Sequence, residues 1–423
     1  MTETEPIRDR SRAARAPRPV TIARHGRLRR TGPWGTVLGL IGGTLAVTLV
    51  SGSAVAGIAA AQLKGDLDAN AVVINETEAP IPNIGAYEGG FNILVVGNDD
   101  WVGRDAILND VNILVHVSAD HTNAVAVSIP RDLVVPFPSC VNEETGRKSS
   151  PASGLPINTA LSYGGLPCVV SVVENLTGLD VHFAGMIGFQ GVINMSDAIG
   201  GVEVCVDKAI NDKKSGLFIP AGTSTLQGWD ALAFLRTRHG VGDGSDLTRI
   251  SSQQVFMSSL LRKLKSEDTL TNVGKLYGLA KAASENMTLS RELTRVDVMV
   301  ALAKSLSKIP MDRITFVQYP GTTGQGGIYE GKVAPNKALA VKLFDAIRAD
   351  LPVGLEQAGD GRGAELNPDA PVVEEPAADP GATPDPNATP DPNATYEPTL
   401  PEKQIISGLR GQTAADQTCS KAN

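Results

Sequence analysis

Aromatic residues are the scarcest class in this 423-residue chain, at 4% of its length. A surface that stacks the bases of single-stranded nucleic acid needs several such rings, so the composition argues against that function. The four cysteines form no CxxC pair and no histidine cluster accompanies them, which argues against a structural zinc site. Hydrophobic residues make up 42% of the chain and charged residues 20%, a balance typical of a protein with a sizeable core.

Charge is missing altogether from residues 31–63, and the thirty residues before them hold nine arginines against three acids. An uncharged stretch longer than about 20 residues behind a basic head predicts a membrane span with a cytoplasmic N-terminus. We therefore expect a disordered cytoplasmic tail (1–33), a single transmembrane helix (34–61) and a stalk (62–89), with the remainder outside the cytoplasm. A signal peptide cleaved after Ala54-Val55-Ala56 is the alternative, and it too would export the remainder.

All the cysteines follow the predicted span: Cys140, Cys168, Cys205 and Cys419. An even number in an exported region predicts two disulfides. The count allows three pairings and does not choose among them. Because Cys140 and Cys168 flank a polar loop, we expect the pairs Cys140–Cys168 and Cys205–Cys419.

Between residues 90 and 352, strand and helix patterns mix. Short apolar runs at 92–97, 111–118 and 124–130 predict buried strands, and the amphipathic stretch at 247–264, opened by Asp246, predicts a long helix. This mixture predicts one α/β domain with a central sheet covered on both faces. Residues 353–423 include a tandem ATPDPN repeat in a Pro-rich, acidic setting, so we expect a disordered linker and a C-terminal tail there.

Polar residues concentrate in four patches at the ends of the predicted strands and the starts of helices. Taken singly, such residues are typical of turns, helix caps and ion pairs. Taken together, several arginines and carboxylates suit a pyrophosphate with a divalent metal, because guanidinium groups match phosphate oxygens and carboxylates hold Mg²⁺. The patches contain Asp99; Asp110; Arg131 with Asp132; and Arg236, Arg238, Asp246, Arg249 and Gln253.

Seven blocks occur in a fixed order along the chain: NILVVGND, LNDVNILVHVS, VAVSIPRDL, INTALSYGG, DAIGGVEVCV, LQGWDALAFLRTRH and GDGSDLTRISSQQ. In that order they resemble the LytR-CpsA-Psr family of bacterial cell-wall enzymes, from about residue 91 to residue 264. The resemblance implies an αβα sandwich with a mixed central sheet. It also implies a phosphotransferase that moves a glycopolymer from a polyprenyl-pyrophosphate carrier to peptidoglycan at the cell membrane, forming a phosphodiester bond with the help of Mg²⁺ or Mn²⁺.

The resemblance also implies roles for individual residues. The metal ligands would be Asp99 and Asp110. The catalytic and pyrophosphate-binding positions would be Arg131, Asp132, Arg236, Arg238, Asp246, Arg249 and Gln253, with Asn158 beside the substrate. Apolar side chains expected near the lipid tail are Met186, Ile187, Phe189, Val192 and Ile193, of which Phe189 is our candidate substrate contact.

Two positions depart from the family pattern. Leu108 stands where the family often has an arginine, and Pro156 stands where it has a lysine. The missing arginine could weaken catalysis, change the donor, or be replaced by Arg104. It is also the feature that favours a non-catalytic protein anchoring wall polymer or lipid.

A second enzymatic alternative is simple hydrolysis of the lipid pyrophosphate. A DNA regulator is suggested only by the basic head, where no recognition helix is visible. The expected partners are therefore the lipid-linked donor, the peptidoglycan acceptor and the membrane, and no nucleic acid.

Overall fold

The computed structural model describes residues 33–74, 89–101, 107–142, 145–266, 272–359, 361–370 and 400–423. Most of the predicted cytoplasmic tail, much of the stalk, Arg104 and the repeat-containing linker lie outside these ranges. The chain divides into two compact units, residues 1–59 and 60–423. All the candidate site residues belong to the second unit.

The helices of the described ranges are α1 (Pro33–Ala69), α2 (Ala160–Thr177), α3 (Phe189–Ala198), α4 (Gly228–Arg236), α5 (Asp246–Lys265), α6 (Val273–Asn286), α7 (Val296–Lys308) and α8 (Lys337–Arg348). The strands are β1 (Ala71–Val72), β2 (Phe91–Asn98), β3 (Asn109–Val117), β4 (Ala124–Ile129), β5 (Val134–Phe137), β6 (Ala152–Pro156), β7 (Phe183–Ile187), β8 (Val202–Val206), β9 (Ile210–Asp212), β10 (Leu217–Ile219), β11 (Gly222–Leu226), β12 (Met287–Ser290), β13 (Ile314–Gln318), β14 (Gly321–Thr322), β15 (Ala334–Pro335), β16 (Val353–Gly354), β17 (Ala364–Leu366), β18 (Gln404–Ile405), β19 (Gly411–Thr413) and β20 (Thr418–Ser420).

Helix α1 contains residues 33–63 of the uncharged stretch, and its first charged residue is Lys64. Within the described residues, no helix combines the length and hydropathy required to cross a membrane. The transmembrane helix at 34–61 therefore stays a prediction. Part of the predicted stalk is regular structure, because α1 continues to Ala69 and β1 follows it, with Leu67 and Ile74 buried.

The central sheet has the order β1-β12-β7-β2-β3-β4-β13-β19. Strand β2 pairs in parallel with β7 and antiparallel with β3, so the sheet is mixed. The three strands predicted from apolar runs are β2, β3 and β4, and their ends agree with the prediction within two residues. The predicted α/β class with a mixed central sheet is confirmed.

Side chains alternate between the two faces of this sheet, as they must along an extended strand. On β3, Leu114 belongs to a core that includes α2 and α8, whereas Ile113 and Val117 belong to a core that includes α5 and α7. Both faces of the sheet are thus covered by helices, which is the layered arrangement that the resemblance implied.

The folded domain extends beyond the predicted boundary at residue 352. Strand β19 adds to the edge of the central sheet beside β13, and β20 lies between β8 and β17 in a second sheet. These strands are buried, with Gln412 exposed by only 1%, so the C-terminal segment is part of the core. The predicted boundary at residue 352 is too early. A Pro-rich linker separates β19 and β20 from the rest of the domain in the sequence, and its composition predicted that the whole segment after residue 352 is disordered.

Two disulfides hold the domain, Cys140–Cys168 and Cys205–Cys419, and the structure leaves no free cysteine. Both predicted pairs are confirmed. The second bond joins β8 to β20 across 214 residues of sequence, and it fastens the C-terminal segment to the domain.

Candidate active site

Three of the four polar patches meet at one end of the central strands, where β2 and β4 end and β3 begins. Asn98 at the end of β2 lies opposite Asn109 at the start of β3, and Asn112 lies opposite Ile129 at the end of β4. Antiparallel pairing therefore brings the residues after β2, at the start of β3 and after β4 together. Those residues are Asp99, Asp110 and Arg131, and the site is formed around them.

The fourth patch contacts the other three through the carboxylate of Asp246, the first residue of α5. Its Oδ1 forms an ion pair with Arg249 at 2.7 Å and accepts a hydrogen bond from Arg238 at 3.2 Å, and its Oδ2 accepts one from the backbone N–H of Arg131 at 3.1 Å. The helix begins at Asp246 as predicted, but the capping residue is Ser245, whose hydroxyl accepts from the N–H of Thr248. A single buried carboxylate thus holds three arginine residues of the site.

The guanidinium of Arg131 bridges two carboxylates. It donates a hydrogen bond to Asp110, and its Nε lies 3.8 Å from Asp132. That Nε is buried and has no hydrogen-bond partner within the described part of the chain. Asp132 is also paired with Lys332 at 3.2 Å, a residue that sequence reasoning missed because it lies 200 positions away with no motif around it. Asn158 stabilises the segment that contains Arg131, since its backbone N–H donates a hydrogen bond to the carbonyl of Arg131 at 3.1 Å.

Asp99 and Asp110 form the acidic side of the site. Asp99 is 1% exposed, and its carboxylate accepts a hydrogen bond from the N–H of Leu108 at 2.8 Å. Burial raises the pKa of Asp110, and the charge of Asp99 adds to the rise, while Arg131 and Arg249 oppose it. Across the described ranges, no group of three or more His, Cys, Asp or Glu side chains is placed to hold a metal.

Arg249 and Gln253 lie one turn apart on α5, and both are 4% exposed. Arg249 donates a hydrogen bond to the backbone carbonyl of Asp110 at 2.9 Å and is also ion-paired with Asp246, so it ties α5 to β3. Burial lowers the pKa of Arg249, and the Asp246 carboxylate opposes that shift. The Gln253 amide donates to the carbonyl of Leu235 at 2.8 Å and thereby ties α5 to the last turn of α4.

Arg236 and Arg238 both border the site, because the side chain of Thr237 between them points away from it. The Thr237 hydroxyl donates to the buried carboxylate of Asp212 at 2.6 Å, and Thr237 itself is fully buried. Arg236 ends α4 with its guanidinium 4.2 Å from the centre of the Phe189 ring, a cation–π contact. The anchoring role of Asp212 was not predicted, since nothing in its local sequence indicates it.

An apolar cavity opens beside these charged groups. Its wall includes aliphatic side chains from β3, α3 and α4, together with Asp110, Arg236, Arg249 and Gln253. Three of the five side chains expected near the lipid tail line it: Ile187, Phe189 and Val192. Met186 lines a neighbouring cleft instead. The apolar cavity and the arginine cluster therefore adjoin each other.

This combination of sheet, arginine cluster and apolar cavity agrees with what the sequence blocks indicate. The chain belongs to the LytR-CpsA-Psr family, whose sequence model matches residues 56–343.

Two relatives and one solved structure define the likeness further. The chain is 29% identical over 323 residues to the cell wall biosynthesis protein LcpA of Corynebacterium glutamicum, covering 68% of this chain and 61% of that protein. It is 24% identical to the polyisoprenyl-teichoic acid–peptidoglycan teichoic acid transferase TagT of Bacillus subtilis, covering 72% of this chain and 91% of that protein. Protein gbs0355 of Streptococcus agalactiae shares the fold, with a TM-score of 0.51 at 21% identity over 62% of this chain and 88% of that one. The match to LcpA spans about three fifths of its length.

Replacing Asp246 by Asn should destabilise the domain, because Arg249 would remain buried without its charged partner. We expect the free energy of unfolding to fall by about 3 kcal/mol, measured by urea denaturation. Asp230→Asn is the matched control, since Asp230 is exposed in the first turn of α4. Equal stability of the two variants would contradict the central role given to Asp246.

Proposed function

We propose that the protein transfers a glycopolymer from a polyprenyl-pyrophosphate lipid to peptidoglycan at this site. The observation that carries the proposal is the position of the arginine cluster directly beside an apolar cavity, whose wall includes Arg236 and Arg249. Within the described residues, the buried Nε of Arg131 has no hydrogen-bond partner. An anion joined to a hydrocarbon chain fits such a pair of sites. The relatives support the same class of reaction, since TagT is named as a transferase of polyisoprenyl-linked teichoic acid to peptidoglycan.

In this proposal the pyrophosphate contacts Arg131, Arg236 and Arg238. The side chains of Arg131 and Arg238 are 21% and 29% exposed, so they are held in place but still reach the site surface. Fixed cations at a partly buried site stabilise the charge that develops on phosphate oxygens during transfer. The aliphatic wall of the cavity would receive the polyprenyl chain.

The reaction forms one phosphorus–oxygen bond and breaks another. An acceptor hydroxyl of peptidoglycan attacks the phosphorus that carries the glycan, and the bridging oxygen leaves with polyprenyl phosphate, which takes up the proton that the hydroxyl loses. The chain supplies position and countercharge for this displacement, which needs little covalent chemistry from the protein. Asp246 is a poor candidate for proton transfer, because both of its oxygens already accept hydrogen bonds.

We further propose that Asp99 and Asp110 hold Mg²⁺ or Mn²⁺. Two neighbouring carboxylates, one of them with a raised pKa, fit a hard divalent cation, which commonly takes one or two carboxylates and completes its shell with phosphate oxygens and water. When bound, the ion would neutralise phosphate charge. The backbone N–H of Leu108 keeps the Asp99 carboxylate in position for this role.

Variants of the arginines test the proposed function. Arg238→Lys keeps the charge but loses the planar fork, so we expect about a tenfold loss of turnover, and a larger loss for Arg238→Ala and Arg131→Ala. The measurement is transfer of a labelled glycan from a polyprenyl-pyrophosphate lipid to peptidoglycan, with and without the acceptor.

The matched control is Arg295→Ala, which removes an exposed arginine paired with Asp297 outside the site. Wild-type turnover by every variant would show that the arginines form an ordinary surface. Release of lipid phosphate at the same rate without acceptor would favour hydrolysis over transfer.

The metal assignment has its own test. Asp110→Asn should weaken Mn²⁺ binding by more than about tenfold, measured by electron paramagnetic resonance, and should abolish metal-dependent turnover. The neighbouring Asp100 is exposed, so Asp100→Asn serves as the control and should bind Mn²⁺ as the wild type does. Unchanged Mn²⁺ binding by Asp110→Asn would remove Asp110 from the metal site.

A further inference from the structure

Three aromatic rings lead away from the arginine cluster in a row. The ring of Phe189 lies beneath Arg236, the ring centre of Trp101 lies 6.0 Å from that of Phe189, and that of Trp229 lies 6.1 Å from that of Trp101. We call Phe189, Trp101 and Trp229 the aromatic ridge. The chain has only three tryptophans, and two of them are in this ridge.

The ridge becomes more exposed with distance from the site. Phe189 is 8% exposed, whereas Trp101 and Trp229 are 44% and 45% exposed. Trp229 and Arg236 lie seven residues apart on α4, so they share one face of that helix about two turns apart. Large rings grouped at the surface of a protein commonly mark a binding site.

The chemistry around the ridge differs from that of the apolar cavity. The cavity wall is mainly aliphatic, whereas the neighbouring cleft, which shares Phe189 and Asn98 with the cavity, is lined by many polar side chains, among them Asp100, Gln190 and Asn286. A sugar ring has one apolar C–H face and a rim of hydroxyls. Half-exposed indoles, which carry an N–H at their edge, suit that face, and carboxamide and carboxylate groups suit the rim.

We propose that the aromatic ridge and this polar cleft form a saccharide subsite, which binds the sugar attached to the pyrophosphate. The proposal rests on the proposed function, because the ridge starts at the arginine that would hold the pyrophosphate. The hydrocarbon goes into the apolar cavity and the sugar lies along the ridge and the neighbouring cleft, with Phe189 bordering both. A peptidoglycan strand presents the same sugar chemistry, so the experiment includes it.

The test measures binding of three probes by calorimetry: geranylgeranyl pyrophosphate, the same lipid carrying N-acetylglucosamine on its pyrophosphate, and chitotetraose. We expect Trp101→Ala and Trp229→Ala each to lower the affinity for the sugar-bearing lipid by about fivefold, with no change for the sugar-free lipid. Trp229→Phe retains a ring and should retain most of the affinity. Tyr277→Ala is the matched control, because Tyr277 is also 44% exposed and lies outside the ridge.

Each result has a definite meaning. Equal losses for both lipids would overturn the proposal and assign the ridge to the hydrocarbon, and no loss for either would also overturn it. Losses confined to chitotetraose would support the saccharide subsite and assign it to the acceptor. If the wild type binds the sugar-free lipid and the sugar adds nothing, the ridge proposal fails while the proposed function stands. If the wild type binds none of the probes, both fail.

Discussion

The arrangement of the site depends on the carboxylate of Asp246. Three arginines cannot be held close together in a partly buried place unless negative charge lies among them. Asp246 provides that charge to Arg238 and Arg249 and also fixes the backbone of Arg131. The side chains of Arg131 and Arg238 remain 21% and 29% exposed, so a ligand can still reach them. Asp246 is therefore best understood as the residue that makes a cationic site possible.

The rest of the fold keeps the segments around Asp246 in register. The loop from Arg238 to Ser245 is braced by the end of the chain, since Gly242 N–H donates to the Lys421 carbonyl at 2.9 Å and Asn423 N–H donates to the Gly240 carbonyl at 3.1 Å. The Cys205–Cys419 disulfide secures this same C-terminal segment. Contacts of the C-terminal segment thus help to position Arg238 and Asp246.

Much of this could be predicted from the sequence because its signals are local. The apolar runs of β2, β3 and β4 and the polar residues at their ends indicate both the sheet and its functional edge. The positions of Lys332, Asp212 and the C-terminal strands depend on contacts between residues far apart in the chain, which carry no local signal. The composition of the Pro-rich linker also gave no indication that the segment after it is buried. That segment is part of the core because β19 and β20 pair with strands of the two sheets.

A crystal structure of the domain with polyprenyl pyrophosphate and Mn²⁺ tests the central claim most directly. The account predicts phosphate oxygens in contact with Arg131, Arg236 and Arg238, the metal signal between Asp99 and Asp110, and Arg249 still bound to Asp246. A pyrophosphate bound elsewhere on the domain, with Arg131 and Arg238 still paired to protein carboxylates, would contradict it.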